Sequence, residues 1–371
     1  MNVSCLQENL AKGLSAVSHA VATKGSLPVL ANILLRTEGG RLRLAATNLE
    51  TSIVTWVGAK VEEEGELTVP ARLLSDLVNS LDSGKLSLST ETQILSVKTE
   101  NAFSRINGIA AEEFPTFPTV TGDPVLEIGS ELFSTAAPLV TFSTATDEGR
   151  PILTGVLLRS EGGRLILVGV DGFRLSEKTV TVSRKSELPL TAVIPARTLN
   201  EVARLMSEKD VKIEVFLSEA ENQVVFRTPD CEVYSRLIEG EFPDYQKIIP
   251  RSFTTEATFF RDPLMKALRS ASIFAKDSAS VVRLRLDPSA GKITLSANTA
   301  EVGENETLVE GEITGTGGEM AFNSKYLIDC LSRMSGEKII LKCGDALSPV
   351  LLQPENDKNY LHIIMPVRIQ N

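Results

Sequence analysis

RPILTGVLLRSEGGRLILVGVDGFRLSE, residues 150–177, decides how the chain is read, because a near copy, SLPVLANILLRTEGGRLRLAATNLETSI, already occupies residues 26–53. Sliding one copy by 123 residues gives 11 identities over the 17 positions from Pro28 to Leu44. Between Leu34 and Leu42 the only difference is Thr37 against Ser160. A fainter third copy, DSASVVRLRLDPSAGKITLSANTAEVGE, runs over residues 277–304, with Gly291-Lys292 where Gly40-Arg41 and Gly163-Arg164 stood. Repetition on this scale fixes the organisation before any local element is considered.

Other landmarks keep the same register. VPARLLSDLVNSL (Val69–Leu81), IPARTLNEVARLM (Ile194–Met206) and FNSKYLIDCLSRM (Phe322–Met334) recur at offsets of 125 and 128 residues, and EFPTFP from Glu113 recurs as EFPDYQ from Glu241, again 128 apart. Three units fill the 371 residues. A unit of this size is a domain able to bury its own core, too long for a solenoid repeat. Turn-rich passages near Thr121–Pro124 and Pro250–Ser252 mark the expected boundaries, giving domains at 1–122, 126–251 and 252–371.

Within the first unit, Leu6, Leu10, Leu14, Val17 and Val21 fall at helical spacing, and Gly25 and Pro28 end the run. Val29–Arg36 and Arg41–Ala46 read as strands turned at Glu38-Gly39-Gly40, where glycine supplies the positive φ of a tight hairpin. Pro70 opens a second helix whose buried stripe is Leu73, Leu74, Leu77, Val78 and Leu81. Strands follow. The fold class is therefore α+β, each unit carrying two helices packed on antiparallel sheets.

Composition is that of an ordinary globular protein, 42% hydrophobic and 23% charged. No apolar run is long enough for a membrane span, and MNVSCLQENLAKGL lacks the greasy stretch of a signal peptide, so a cytoplasmic protein is expected. Cys5, Cys231, Cys330 and Cys343 lie far apart without a CxxC pair and read as reduced, buried thiols. The net charge of −10 argues against non-specific DNA affinity, but the charge is unevenly distributed. The six tracts read as helical (1–25, 70–81, 126–150, 195–207, 259–277, 322–335) hold 12 basic and 10 acidic residues, leaving 26 basic and 38 acidic elsewhere. By itself that asymmetry describes ordinary solvated helix faces.

Catalytic chemistry has few parts to work with. His19 and His362 are the only histidines and neither has a partner at metal-ligand spacing; both read as structural. Thr314-Gly315-Thr316-Gly317-Gly318 is the nearest approach to a phosphate loop and lacks the lysine. Asp171 has no second acid placed to tune it and reads as a turn residue. No catalytic residue, metal or cofactor is expected.

At the level of whole motifs the chain resembles the bacterial sliding clamps, the β subunits of DNA polymerase III. The resemblance is carried by Val170-Asp171-Gly172-Phe173-Arg174-Leu175, Glu241-Phe242-Pro243-Asp244-Tyr245, Phe322-Asn323-Ser324-Lys325-Tyr326 and the terminal Met365-Pro366-Val367-Arg368-Ile369, together with the threefold repeat. It implies three domains of the DNA clamp fold per chain, two chains meeting head to tail in a closed ring of six domains, and helices lining the hole. Such a ring is a non-enzymatic processivity factor. Its implied partners are double-stranded DNA without sequence preference, a second copy of itself, the clamp loader, the replicative polymerase and other proteins bearing a clamp-binding peptide.

The resemblance also implies a hydrophobic peptide pocket. Carried across position by position, its lining is Leu153, Val170, Gly172, Phe173, Arg174, Leu175, Pro243, Lys247, Ile248, Asn323, Tyr326, Leu347, Pro349, Ile364, Met365, Pro366, Val367 and Arg368. Apolar walls suit a Leu or Phe anchor, and Arg174, Asn323 and Arg368 are candidate partners for the peptide backbone or its end. Lys24, Arg72, Arg150, Arg197, Lys266, Arg269 and Lys325, on or beside the repeated helices, are the candidates to face DNA. Phe173 and Val170 stand where several members carry His and Thr, Lys247 where Arg is usual, and Pro349 where a small polar residue is usual, which makes this pocket more apolar. Two rival readings stay open on sequence alone: a peptide-binding relative that does not encircle DNA, and a hydrolase built on Asp171.

Overall fold

The computed structural model describes residues 1–22, 27–117, 122–147, 149–184, 190–218, 222–275, 280–299 and 303–368. Seven α-helices lie among them: α1 (Gln7–Ser18), α2 (Ala71–Ser80), α3 (Ser130–Ala136), α4 (Pro138–Thr141), α5 (Ala196–Leu205), α6 (Arg261–Phe274) and α7 (Ser324–Arg333). Each repeat opens on a short strand that the helical spacing had concealed: Asn2–Leu6, Leu126–Gly129 and Thr255–Phe260. The alternation that makes them strands spans only Val3 and Cys5, Leu126 and Ile128, and Thr255, Ala257 and Phe259, all buried. Leu6, expected on the helix stripe, ends the first of these strands and is 50% exposed. In the second repeat the expected helix is broken, because Pro138 brings no N–H and starts a new turn as α4.

Two compact units divide the chain, one of residues 1–134, 183–188 and 198–237, the other of 135–182, 189–197 and 238–371. In the first unit a five-stranded sheet runs in the order Lys60–Glu63, Asn2–Leu6, Lys85–Glu91, Ile94–Lys98, Phe103–Asn107. Its second sheet joins two repeats: Cys231–Arg236 pairs antiparallel with Thr51–Gly58, Val233 lying opposite Ile53. The same joint recurs in the second unit, where Tyr360–Ile364 pairs with Arg174–Thr181 and His362 lies opposite Ser176. A last strand of one repeat thus completes the sheet of the repeat before it.

The doubled motif earns its sequence identity in the hairpin. Gly39 and Gly40 have φ of 57° and 73°, Gly162 and Gly163 of 54° and 77°, the left-handed pair that a two-residue turn requires. Glu38 faces Arg41 and Glu161 faces Arg164 across them. In the third repeat Asp287 faces Lys292, so the loop is longer, and Asp287 Oδ1 accepts from the Ser289 and Ala290 amides instead. That insertion is why the third copy is faint.

Helices pack on these sheets through most of the expected stripes; in α2 the buried face is Ala71, Leu74 and Val78, whereas Leu73, expected on the stripe, is 53% exposed. Leu10, Leu14 and Val17 of α1 are buried, and Gly13 sits so close to the sheet that a Cβ would lie 2.7 Å from Leu44 and Val57. Leu264, Leu268 and Ala271 of α6 and Leu327 and Leu331 of α7 share one core with Val282, Leu284 and Leu295. All four cysteines are buried and free.

Candidate partner-binding site

The turn Asp171–Arg174 organises the second unit's most developed surface site. Asp171 Oδ1 accepts from the amides of Phe173 (2.8 Å) and Arg174 (2.9 Å), an Asx turn closed at Gly172, whose φ is +96°. Arg150 lies against that glycine and donates from Nη2 to the Asp171 carbonyl at 3.1 Å. Arg174 then turns inward. Its Nε donates to Asp171 Oδ2 at 2.9 Å and its Nη1 to Asp329 Oδ2 at 3.0 Å, with the guanidinium 4.6 Å from the Tyr326 ring centroid and 5.3 Å from that of Phe142.

Phe173, thrown outward by the turn, is 57% exposed and stacks on Tyr326 at 6.3 Å between centroids. Tyr326 projects from α7, whose first turn Asn323 caps by accepting from the Lys325 amide at 2.9 Å. The C-terminal segment is laid alongside. Met365 N donates to Phe173 O at 2.9 Å and Val367 N to Ala321 O at 2.8 Å, so Met365, Pro366 and Val367 are fixed as partly exposed walls.

Beneath the turn, Val170 lies opposite Leu175, and Leu175 opposite Ile363, in an apolar layer that Ile248 joins. Beside it opens a cleft of about 530 Å³ lined by Lys247, Ile248, Pro349, Met365, Arg251 and Asp345 among others. Lys247 pairs with Asp244 at 2.8 Å, which raises its pKa. Leu347 is 51% exposed; Pro243 and Arg368 are exposed as well.

The expected pocket residues therefore converge, but in different capacities. Leu153, Val170, Leu175 and Ile364 are sealed in the core and shape the site from below, whereas Gly172, Phe173, Lys247, Leu347, Met365 and Arg368 offer surface. Arg174 and Asn323 differ from expectation: the Arg174 side chain is 9% exposed with Nε and Nη1 engaged, and Asn323 Oδ1 caps α7, so both hold the site's shape. Sequence reasoning missed Asp329 and Phe142. Asp329 was within reach, since it follows Tyr326 by three residues on one helix face. His362 is buried completely behind Arg174, with Nδ1 2.7 Å from Ser176 Oγ, and burial pushes its pKa down to about 3.

Of the cations expected to face DNA, Lys266 and Arg269 stand exposed on α6 beside a 380 Å³ groove shared with Arg261, Leu331 and Ser332. Lys325 is exposed in the first turn of α7 and Arg197 on α5. Arg72 is exposed and 3.7 Å from Asp76, one helical turn on. Arg150 lies on no helix of this kind, being tied to the Asp171 turn. Lys24 is outside the described residues.

The first unit repeats the turn in other side chains. Asn48 Oδ1 accepts from the amides of Glu50 (3.0 Å) and Thr51 (2.8 Å), Leu49 has φ +74°, and Arg236 N donates to Glu50 O at 2.9 Å, as Met365 does to Phe173.

Antiparallel sheets backed by paired helices, repeated three times and sewn together by shared strands, are the architecture of a clamp. The N-terminal, central and C-terminal domain families of the DNA polymerase III beta subunit match residues 1–118, 127–244 and 246–368. A curated relative, the beta sliding clamp of Synechocystis, is 31% identical over 393 residues, covering 100% of both chains. A solved DnaN sliding clamp from Pseudomonas aeruginosa bound to griselimycin is 30% identical with a TM-score of 0.94, covering 100% of both chains. The Bacillus subtilis clamp, at 24% identity, shares the fold with a TM-score of 0.94 over 100% of both chains. The chain belongs to the DNA polymerase III beta subunit family, the bacterial sliding clamps. Its function is that of a clamp and processivity factor in DNA replication. Among the described residues no helix is long and apolar enough to cross a membrane.

Proposed function

We propose that two copies of this chain close head to tail around duplex DNA and, without catalysing a reaction, tether polymerase and other proteins through a peptide docked at the Phe173 turn. The observation that carries the ring is the repeated strand joint. In each joint a last strand pairs with a fourth strand of the preceding repeat, Val233 with Ile53 and His362 with Ser176. The first repeat's last strand, Phe103–Asn107, ends its sheet, and Gly303–Thr307 of the third repeat pairs with a neighbour on one side alone among the described residues. Counting along the same hairpins matches Ser104 to Val233 and Asn305 to Ile53. A partner's Phe103–Asn107 strand then sets Ser104 opposite Asn305 and Arg105 opposite Glu304, a favourable cross-strand pair. Phe103 and Leu308, 59% and 56% exposed, lie on these two edges.

Domain limits near 1–122, 126–251 and 252–371 follow the same repeats, and the cytoplasm is the compartment that suits reduced thiols and DNA. Lys266, Arg269, Lys325, Arg197 and Arg72 meet phosphate loosely, through exposed side chains that read no base, which suits a ring that slides. The loader and polymerase dock as an extended apolar peptide over Phe173, Met365 and the Leu175 floor. Retention on nicked circular DNA against the same DNA linearised, at salt that strips phosphate contacts, tests the ring. Persistence on circles with loss from linear ends is expected; equal loss from both rules out topological linkage. Loss of retention without loss of peptide binding would favour the relative that docks peptides off DNA.

A further inference from the structure

We infer that the first unit holds a site for a nucleoside phosphate, in a cavity of about 540 Å³ where the strand Arg41–Thr47 begins, at the opposite end from the Asn48 turn. The inference rests on neither the ring nor the Phe173 turn. Residues of α1 and α5 line one side of the cavity, and the strands Thr51–Gly58 and Cys231–Arg236, which set Thr55 opposite Cys231, contribute to the other. Val57, Met206 and Cys231 give it a buried apolar floor, and its volume suits a ligand of nucleotide size. Cations stand on both sides. Lys12 of α1, 3.7 Å from Glu208, and Arg204 of α5 line it from the helices. From the strands, Arg41 Nη1 donates to Asp230 Oδ1 at 2.7 Å, its guanidinium 5.3 Å from the centre of the Trp56 ring. Each of these three side chains is at least 41% exposed, and exposed ion pairs contribute little, so a phosphate can take the place of a carboxylate. A phosphate held by Lys12 and Arg204 leaves the base to cover the apolar floor and the ribose hydroxyls to donate to Asp230.

The matching positions of the second joint are bridged instead. Thr55 lies opposite Leu44 and Cys231, as Lys178 lies opposite Leu167 and Tyr360. Lys178 Nζ reaches Asp357 Oδ2 at 2.5 Å, with both side chains largely buried. At the first joint the lining residues Thr55 and Thr228 are too short for such a bridge. Thr55 Oγ1 donates to the Asp230 carbonyl at 2.9 Å and Thr228 Oγ1 to that of Cys231 at 3.3 Å. The opening therefore comes from this joint's own side chains and not from the strand pairing that the two joints share.

Trp56 is the only tryptophan of the chain and lines the cavity, so its fluorescence reports occupancy, while equilibrium dialysis counts sites independently of it. The full chain is expected to bind one adenosine 5′-monophosphate. Adenosine, which lacks the phosphate, should bind about tenfold more weakly, and so should the nucleotide to Lys12→Glu. Thr55→Lys with Thr228→Asp, which copies the bridge of the second joint, should abolish binding; where that variant does not fold, Ala16→Phe fills the cavity in its place. No bound nucleotide in dialysis, equal affinity for adenosine, equal affinity for inorganic phosphate alone, or undiminished binding in a folded variant with the cavity filled each overturns the site.

Discussion

Arg174 lies 3.0 Å from Asp329 and 4.6 Å from the centre of the Tyr326 ring, so one residue of α7 fixes the guanidinium and another is covered by it. Phe173 stacks on the far end of this arrangement. Removing the exposed ring and removing its support should therefore differ. Phe173→Ala should lower affinity for an apolar peptide about tenfold, the value of a lost aromatic contact near 1.4 kcal/mol, and leave thermal stability unchanged. Asp329→Ala should cost about 1–2 kcal/mol of stability as well, because a charged hydrogen bond to a largely buried arginine is lost. Paired melting and binding curves for the two variants check this; an equal stability loss in both would mean that Phe173 is packed rather than presented.

Ring closure offers a charge test. Arg105 and Glu304 each lie on a sheet edge and are assigned to face one another across copies. Arg105→Glu and Glu304→Arg should each weaken the dimer about tenfold through like-charge pairing across strands, and the double exchange should restore most of it. Sedimentation velocity across a dilution series reads the outcome. Additive weakening in the double variant would show that the two residues do not meet.

Acid should loosen the second unit. His362 is buried and neutral, with a pKa near 3 against an unfolded value of 6.5, and its Nε2 has no hydrogen-bond partner among the described residues. The folded state thus binds fewer protons between those values. Its contribution is complete above pH 6.5 and declines as pH falls toward 3, by about 1.4 kcal/mol per unit. Denaturant midpoints of the protein and of His362→Gln, compared from pH 7 to pH 4.5, should diverge in slope by one proton; parallel slopes would mean that His362 titrates normally.

Lys266 and Arg269, exposed beside one groove, are proposed to meet the duplex. Each residue that contacts a phosphate adds about 0.9 to the slope of log affinity against log salt. Replacing both by Ala should flatten the slope for linear duplex by nearly two, without changing the oligomer. An unaltered slope would place the duplex elsewhere.

The repeat was legible because a hairpin with Gly39-Gly40 tolerates few alternatives at either end, and selection on turn geometry leaves letters in the sequence. The helices were legible in their centres, where Leu10, Leu14, Leu264 and Leu268 keep the helical period. Their beginnings were not, since two or three buried residues in each opening strand make too short an alternation to compete with a four-residue spacing. At the site, residues named from the resemblance lie together around the Asp171 turn, but the resemblance could not rank them. Whether Arg174 faces a ligand or Asp329 depends on a residue 155 positions away, and no local pattern encodes that. Leu49 was invisible for the opposite reason: what sets it apart is a φ of +74°, and leucine gives no warning of a positive φ.

The sheets that run unbroken from one repeat into the next have a mechanical consequence. Within a chain, neighbouring repeats are joined twice, by the covalent linker and by a backbone ladder, as in the pairing of residues 231–235 with 51–55. Between copies, in the proposed ring, only a ladder of the same kind would join them, with no linker beneath it. A gate that admits DNA should then yield at the seam between copies, as a zip opens at its unsewn end. Deuterium uptake in the assembled protein should be faster at amides of 103–107 than at 231–235; equal protection would move the gate inside the chain.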